Sequence, residues 1–239
     1  MELINQVVAW FTDPANWTGT SGIINRTTEH VVLSVMSVLA AVLVAIPVGL
    51  AIGHTGRGSF VTVTVANLGR SIPSYALLII FVTWFGIGFA AAFPALVVLA
   101  LPPILIATYV GLREVDRDMV EAGRAMGMRE TQLLRRVEVP IALPVIVSGV
   151  RIAAVQVVAT ATLAALVGGG GLGRFIVDGF ALRRQDMLVA GALLVAFLAL
   201  LTERSLTYLE RRMVSPGLRP SASVEREVLN LPQPVETGT

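Results

Sequence analysis

The chain has 239 residues, 55% of them hydrophobic and 14% charged, with a mean hydropathy of +0.77. A soluble domain carries about 25% charge, so an ordinary cytosolic enzyme is excluded, and the absence of cysteine excludes a disulfide-stapled secreted domain. The isoelectric point of 9.6 accompanies a formal net charge of only +2, which points to no nucleic-acid partner; a polytopic, all-α membrane protein remains.

Residues 1–29 form an N-terminal segment in which the acidic Glu2 and a brief apolar stretch predict no secretory signal. Trp10 and Trp17 suit the boundary between lipid and water. Five membrane spans follow, each needing roughly 20 mostly apolar residues. They are predicted at about 30–53, 60–88, 92–111, 141–167 and 187–207 within a membrane unit of residues 30–214. The first ends at the glycine-rich turn Gly53–Gly58, and the third is entered through Phe93 and Pro94. The second is too long for a straight crossing: its 29 residues would make a helix of about 43 Å. It also holds Asn67, Arg70, Ser71, Pro73 and Ser74, and Pro73 removes a backbone hydrogen bond, so a broken or strongly tilted element is expected. Irregular backbone at membrane depth must be buried in protein or face a water-filled cavity. A packed kink and a pathway lining are both open readings, and the second makes Ser71, Pro73 and Tyr75 candidate pathway residues. Gln156 and Thr160 in the fourth span lie four apart on one face and are candidates for the same reason, or for bonding a neighbouring helix. The aromatic faces of Tyr75, Trp84 and Phe85 suit a quaternary ammonium or simple packing.

Orientation follows from arginine. One side receives Arg57, Arg113, Arg117, Arg124, Arg129, Arg135, Arg136, Arg204, Arg211, Arg212, Arg219 and Arg226; the other receives Arg26, Arg174, Arg183 and Arg184. The positive-inside rule makes the first side cytoplasmic, placing the N-terminus outside and the C-terminus inside. Residues 215–239, rich in Pro, Ser, Glu and Arg, read as a disordered cytoplasmic tail.

The segment 112–140 is amphipathic, with Val115, Met119, Ala122 and Met126 on one stripe. Asp116 or Asp118 suits the helix start, Gly127 interrupts it, and a second short helix is expected from about Arg129 to Arg136, stopped before Pro140. A connection of this length with an apolar stripe calls for a partner. Its residues Glu121-Ala122-Gly123, then Gly127, then Val137-Glu138-Val139-Pro140 resemble the loop of permease subunits of bacterial ABC importers: E-A-A, three residues, G, nine residues, I-x-L-P. The departures are Gly123, Val137 and Val139. The resemblance implies a helix that docks on a cytoplasmic ATPase dimer. Ala122 and Met126 would supply apolar contact, Gly127 a sharp turn with close approach, and Glu121 either a contact with the ATPase or an ion pair with Arg117, Arg124 or Arg129.

The runs AIPVGLAIGHTGRG, NLGRSIPSYALL, EAGRAMGM, VEVPIALPVIVSGVR and GGGGLGRFIVDG resemble permeases of osmoprotectant importers, those for glycine betaine, carnitine, choline or proline. Over about residues 28–210 this implies the type I importer fold, a second and homologous permease, and an extracytoplasmic binding protein. Methionine-type permeases share the runs and stay open as an alternative. Gly168, Gly170 and Gly173 match a dinucleotide fingerprint but follow a span rather than a strand, which favours a tight turn where helices meet or a binding protein docks. The chain lacks lysine and hence any Walker motif, so no cofactor is expected in it, and ATP and magnesium fall to the partner. His30 and His54 stand at opposite ends of the first span without a carboxylate cluster that would suggest metal, and Met36 reads as a core filler. An ion-driven transporter is the other transport class. It is disfavoured because no acidic residue lies between 31 and 112 or between 139 and 177. Nothing suggests an intramembrane enzyme.

Overall fold

The computed structural model describes residues 1–58, 60, 64, 69 and 71–213; Asn67, Arg70 and the expected tail lie outside them. The helices, in order, are α1 (Glu2–Thr12), α2 (Ile23–Thr55), α3 (Ser74–Phe85), α4 (Phe89–Arg113), α5 (Arg117–Ala125), α6 (Glu130–Leu133), α7 (Val139–Thr160), α8 (Gly173–Ala181) and α9 (Gln185–Met213). Among the described residues, four stretches are long and apolar enough to cross a membrane: α2, α4, α9 and the continuous helix from Glu130 to Val167.

The architecture turns on α4, which is packed on both sides by small residues. Along α2, Ser37, Ala41, Ala45, Gly49 and Gly53 recur at every fourth position and are all buried. This is the spacing that lets helix backbones approach in lipid, where van der Waals contact replaces the hydrophobic drive. A Cβ at Gly49 would lie 2.7 Å from the Thr108 Cβ, and one at Gly53 2.8 Å from the Leu112 Cβ. On the other side Gly149 of α7 rides against α4 so closely that a Cβ would meet that of Ala107 at 2.2 Å. Leu33, Leu78, Leu96, Ile104 and Val157 fill the core between these helices.

The second predicted span is broken where expected. Ser71 is helical, Ile72 bends and Pro73 is extended (φ −60°, ψ 124°) before α3 begins at Ser74. With 12 residues, α3 is about 18 Å long, well short of a bilayer core. The third span starts at Phe89 rather than at Phe93-Pro94: Pro94, Pro102 and Pro103 all sit within α4. Helix α2 begins at Ile23 and stops on Gly56, whose φ of +68° is the left-handed cap that glycine takes cheaply.

Two further expectations change. The helix beginning at Glu130 does not stop before Pro140. Residues Leu134–Glu138 form a π turn, closed by the Val139 N–H donating to the Leu134 carbonyl, and α7 carries straight on through Pro140. Widening the turn accommodates the missing N–H and the ring that would crowd an ordinary one. Trp10 is not a boundary residue: only 4% exposed, it stands edge-on to Phe175 at 5.3 Å and joins Ile23, Leu172, Ala190 and Val195 in a separate apolar cluster under α1. Trp17 stays partly exposed and donates its indole N–H to the Phe11 carbonyl. Met36 is exposed, not a core filler.

Candidate functional site

The arginine-rich end carries the segment that the sequence singles out. The Asp116 carboxylate accepts from the Asp118 N–H at 2.9 Å and so caps α5. At the far end of α5, Gly127 adopts φ +80°, and the chain reverses into α6, where the Arg129 N–H donates to the Gln132 side chain. No atom lies within 4 Å of a Cβ built on Gly127, so the glycine is needed for its backbone conformation, not for close approach. Close approach belongs to Gly123 instead. It is buried, and a Cβ there would lie 2.7 Å from the Leu133 Cδ1. Glycine in place of the family's alanine therefore seats α5 directly on α6.

Glu121, Ala122, Met126 and Gly127 are all exposed, with Met126 at 77% and the neighbouring Met119 at 51%. The predicted stripe thus splits: Val115 is buried against Leu112, Ala142 and Ile146, while Met119, Ala122 and Met126 face outward uncovered. Arg124 donates from Nε and Nη2 to Glu130 at 3.0 and 3.2 Å, a hydrogen bond that holds the guanidinium still more firmly protonated. No ion pair of Glu121 is found among the described residues.

Behind the loop, His54 at the end of α2 faces two carboxylates. Its Nδ1 lies 2.5 Å from Glu138 Oε2 and its Nε2 3.2 Å from Glu130 Oε2. Glu138 is only 5% exposed. A cavity of about 330 Å³ opens beside this group, lined by His54, Arg113, Arg117, Glu121, Arg124 and Glu138.

The pathway candidates fall on exposed faces. Ser71, Pro73 and Tyr75 flank the break before α3, and Gln156 is exposed on α7 in line with Ile152 and Ala159. Thr160 is half-buried. Among the described residues no side-chain hydrogen bond ties Gln156 or Thr160 to another helix. Thr162 spends its hydroxyl on the Ala159 carbonyl. Tyr75 and Trp84 stand at opposite ends of α3, nine positions apart and so separated by about 13 Å of helix rise; they do not form one aromatic cage.

The other end of the bundle is closed by the glycine-rich turn after the 3₁₀ segment Ala161–Val167. Gly168, Gly170 and Gly171 have φ of +76°, +74° and +78°. Glu29 accepts the Gly171 N–H at 2.8 Å and is itself held by Arg26 at 2.8 Å and Asn25 at 2.9 Å. Buried His30 bridges α2 to the same turn: Nε2 donates to the Val158 carbonyl at 2.9 Å and Nδ1 accepts from the Leu172 N–H at 3.3 Å. These glycines make a turn where helices meet, not a nucleotide cradle. Sequence reading missed Glu29, Glu130, Glu138 and the bridging work of both histidines. Glu138 between two valines at the root of an apolar span was the available signal.

Comparison with known proteins places this geometry. Residues 21–215 match the family described as binding-protein-dependent transport system inner membrane component. The chain is 38% identical over 194 residues to the carnitine transport permease protein OpuCB of Listeria monocytogenes, covering 81% of this chain and 89% of the relative. It is 34% identical over 194 residues to the choline transport system permease protein OpuBB of Bacillus subtilis, with the same coverage. It is also 34% identical over 214 residues to the carnitine transport permease protein OpuCD of Listeria monocytogenes, covering 89% of this chain and 94% of the relative. Among solved structures, an inward-facing form of the MetNI methionine ABC transporter superposes with a TM-score of 0.73 at 25% identity, over 80% of this chain and 96% of that one.

Proposed function

This chain belongs to the inner membrane components of binding-protein-dependent transport systems, and from that premise we propose that it is one of two permeases in an ABC importer for compatible solutes of the quaternary-amine type. The observation that carries the coupling half of this reading is the uncovered face of Met119, Ala122 and Met126 on a helix fixed by Gly123 and turned at Gly127. A flexible apolar face of this kind fits a groove on a cytoplasmic ATPase dimer. The excess of arginine at the same end supports placing it in the cytoplasm. ATP and magnesium are bound by that partner, which supplies the energy, while this chain supplies movement.

The packing supports a route by which movement passes inward. Helix α6 runs through the π turn into α7 without interruption, and Gly149 locks α7 onto α4. Displacement of the docked helix therefore carries α4 and α7 together as one body. The unpartnered face of Ile152, Gln156 and Ala159, together with the break at Ser71, Pro73 and Tyr75, would line the pathway against a second permease. Separate permeases named OpuCB and OpuCD among the relatives support a homologue in that place over a second copy. The outer end, closed by the glycine turn, is where a substrate-binding protein would deliver solute. The names of the relatives similar in sequence, carnitine and choline permeases, favour an osmolyte over the methionine of the structural neighbour.

The test is purification of the complex with its ATPase and binding protein, reconstitution in liposomes, and ATP-driven uptake of radiolabelled glycine betaine, carnitine, choline, proline and methionine. Uptake of one of the first four is expected. Uptake of methionine alone would move the chain to the alternative substrate class, and uptake driven by an ion gradient without ATP would remove the importer reading.

A further inference from the structure

Among the described residues, the hydrogen bonds and ion pairs joining the first span to the segment 112–140 all run through one side chain, His54. Its two ring nitrogens point at two carboxylates from different parts of that segment: Glu138 at the root of α7 (2.5 Å) and Glu130 in the first turn of α6 (3.2 Å). Glu138 takes the shorter contact, a hydrogen bond through Nδ1, and Glu130 lies within ion-pairing distance of Nε2. The environment demands such a partner. Glu138 is almost fully buried, and a buried carboxylate is costly unless paired. His54 itself is 14% exposed. Glu130 then passes the connection on, accepting from Arg124 in the last turn of α5. A continuous polar chain thus runs from α5 through Arg124, Glu130 and His54 to the end of α2.

We propose that His54 is a positioning residue that clasps the coupling segment to the first span, so that movement of the docked helix reaches α2 as well as α7. The contrast with α7 gives the reason. Helix α7 is joined to α6 by an unbroken backbone, whereas apart from His54 the contacts of α2 at this end are, among the described residues, those of packing: Gly53 on Leu112 and the small-residue row on α4. Packing of small residues resists approach but not sliding. A two-pronged contact, one carboxylate at each ring nitrogen, fixes the helix end in both directions. The clasp rests on the importer reading above, and the adjoining cavity of about 330 Å³ leaves room for a longer bidentate side chain in place of the imidazole.

The experiment uses the reconstituted complex and reads two quantities: solute moved per ATP hydrolysed, and the distance distribution between spin labels on cysteines placed at exposed Arg57 and Thr131. The chain has no cysteine of its own, and the complex without the two introduced cysteines sets the background from its partners. In His54→Ala and His54→Gln, hydrolysis is expected to continue while solute per ATP falls about fivefold, the lower end of ordinary coupling strengths, and the distances broaden. Glu130→Gln, exposed and without the buried partner, should shift both in the same direction but less. His54→Arg should restore both. An unchanged ratio and an unchanged distribution in His54→Ala would overturn the proposal, as would a His54→Arg variant no better than His54→Ala. A wild-type complex without ATP-driven uptake would defeat the importer reading itself, while broadening in His54→Ala would still establish the clasp.

Discussion

The two ends of this helical bundle use the same residues to opposite purposes. At one end Gly168, Gly170 and Gly171 take left-handed φ and are pressed against Ile87, Glu29 and His30 in turn; at the other Gly127 takes the same conformation with nothing near it. Histidine shows the same division. His30 is buried between a carbonyl and a backbone N–H, and His54 stands between two carboxylates beside an open cavity. One end is closed by internal contact. The other is rigid in backbone and unfinished in surface, as the proposed docking requires.

Substitutions can break this contrast. The largest effect is expected from Gly171→Val, where a Cβ would lie 3.0 Å from the His30 ring in a conformation that costs an L-residue about 1–2 kcal/mol by itself. Membrane-inserted protein recovered after detergent extraction should fall sharply; recovery at wild-type levels would show that the turn is not the lock inferred here. Gly127→Val pays the same conformational cost but meets no atom, so insertion and yield should hold. Loss of about 1.4 kcal/mol of docking would lower coupled uptake about tenfold, and wild-type uptake would count against the docking reading. Glu29→Gln keeps the shape and removes the charge that Arg26 and the Gly171 N–H share. A cost of about 1–2 kcal/mol is expected, visible as a lower melting temperature in detergent. The smallest effect belongs to the exposed Arg124–Glu130 pair. Arg124→Gln should weaken coupling at low salt, and the difference from wild type should disappear in about 0.5 M salt, where such charges are screened.

Much of the fold was legible because charge is scarce where helices cross lipid. The order of four of the five predicted spans, the break at Pro73 and the turn at Gly127 follow from local chemistry that acts over a few residues. What escaped was set by distant partners. Nothing near Trp10 announces Phe175, and nothing near Glu29 announces Gly171, so a boundary tryptophan and an unremarked glutamate became parts of the closed end. The helix through Pro140 escaped for a local reason: a π turn depends on one displaced hydrogen bond and leaves no periodic signature. In the segment 112–140 the spacing was readable, but the roles of two glycines were partly exchanged, because the need for close approach sits at Gly123, where only the position of Leu133 reveals it.

The seam between α2 and α4 stores its instructions in what is missing. At Gly49 and Gly53 the contact is made by the backbone itself, and every fourth position along the helix is kept small. Mutation has little there to remove and can only add. The seam is thus open to damage from almost any change in sequence while owing its strength to no single side chain. Its tolerance is one-sided: trimming a serine or alanine costs little, and one methyl group at Gly49 or Gly53 is already too much.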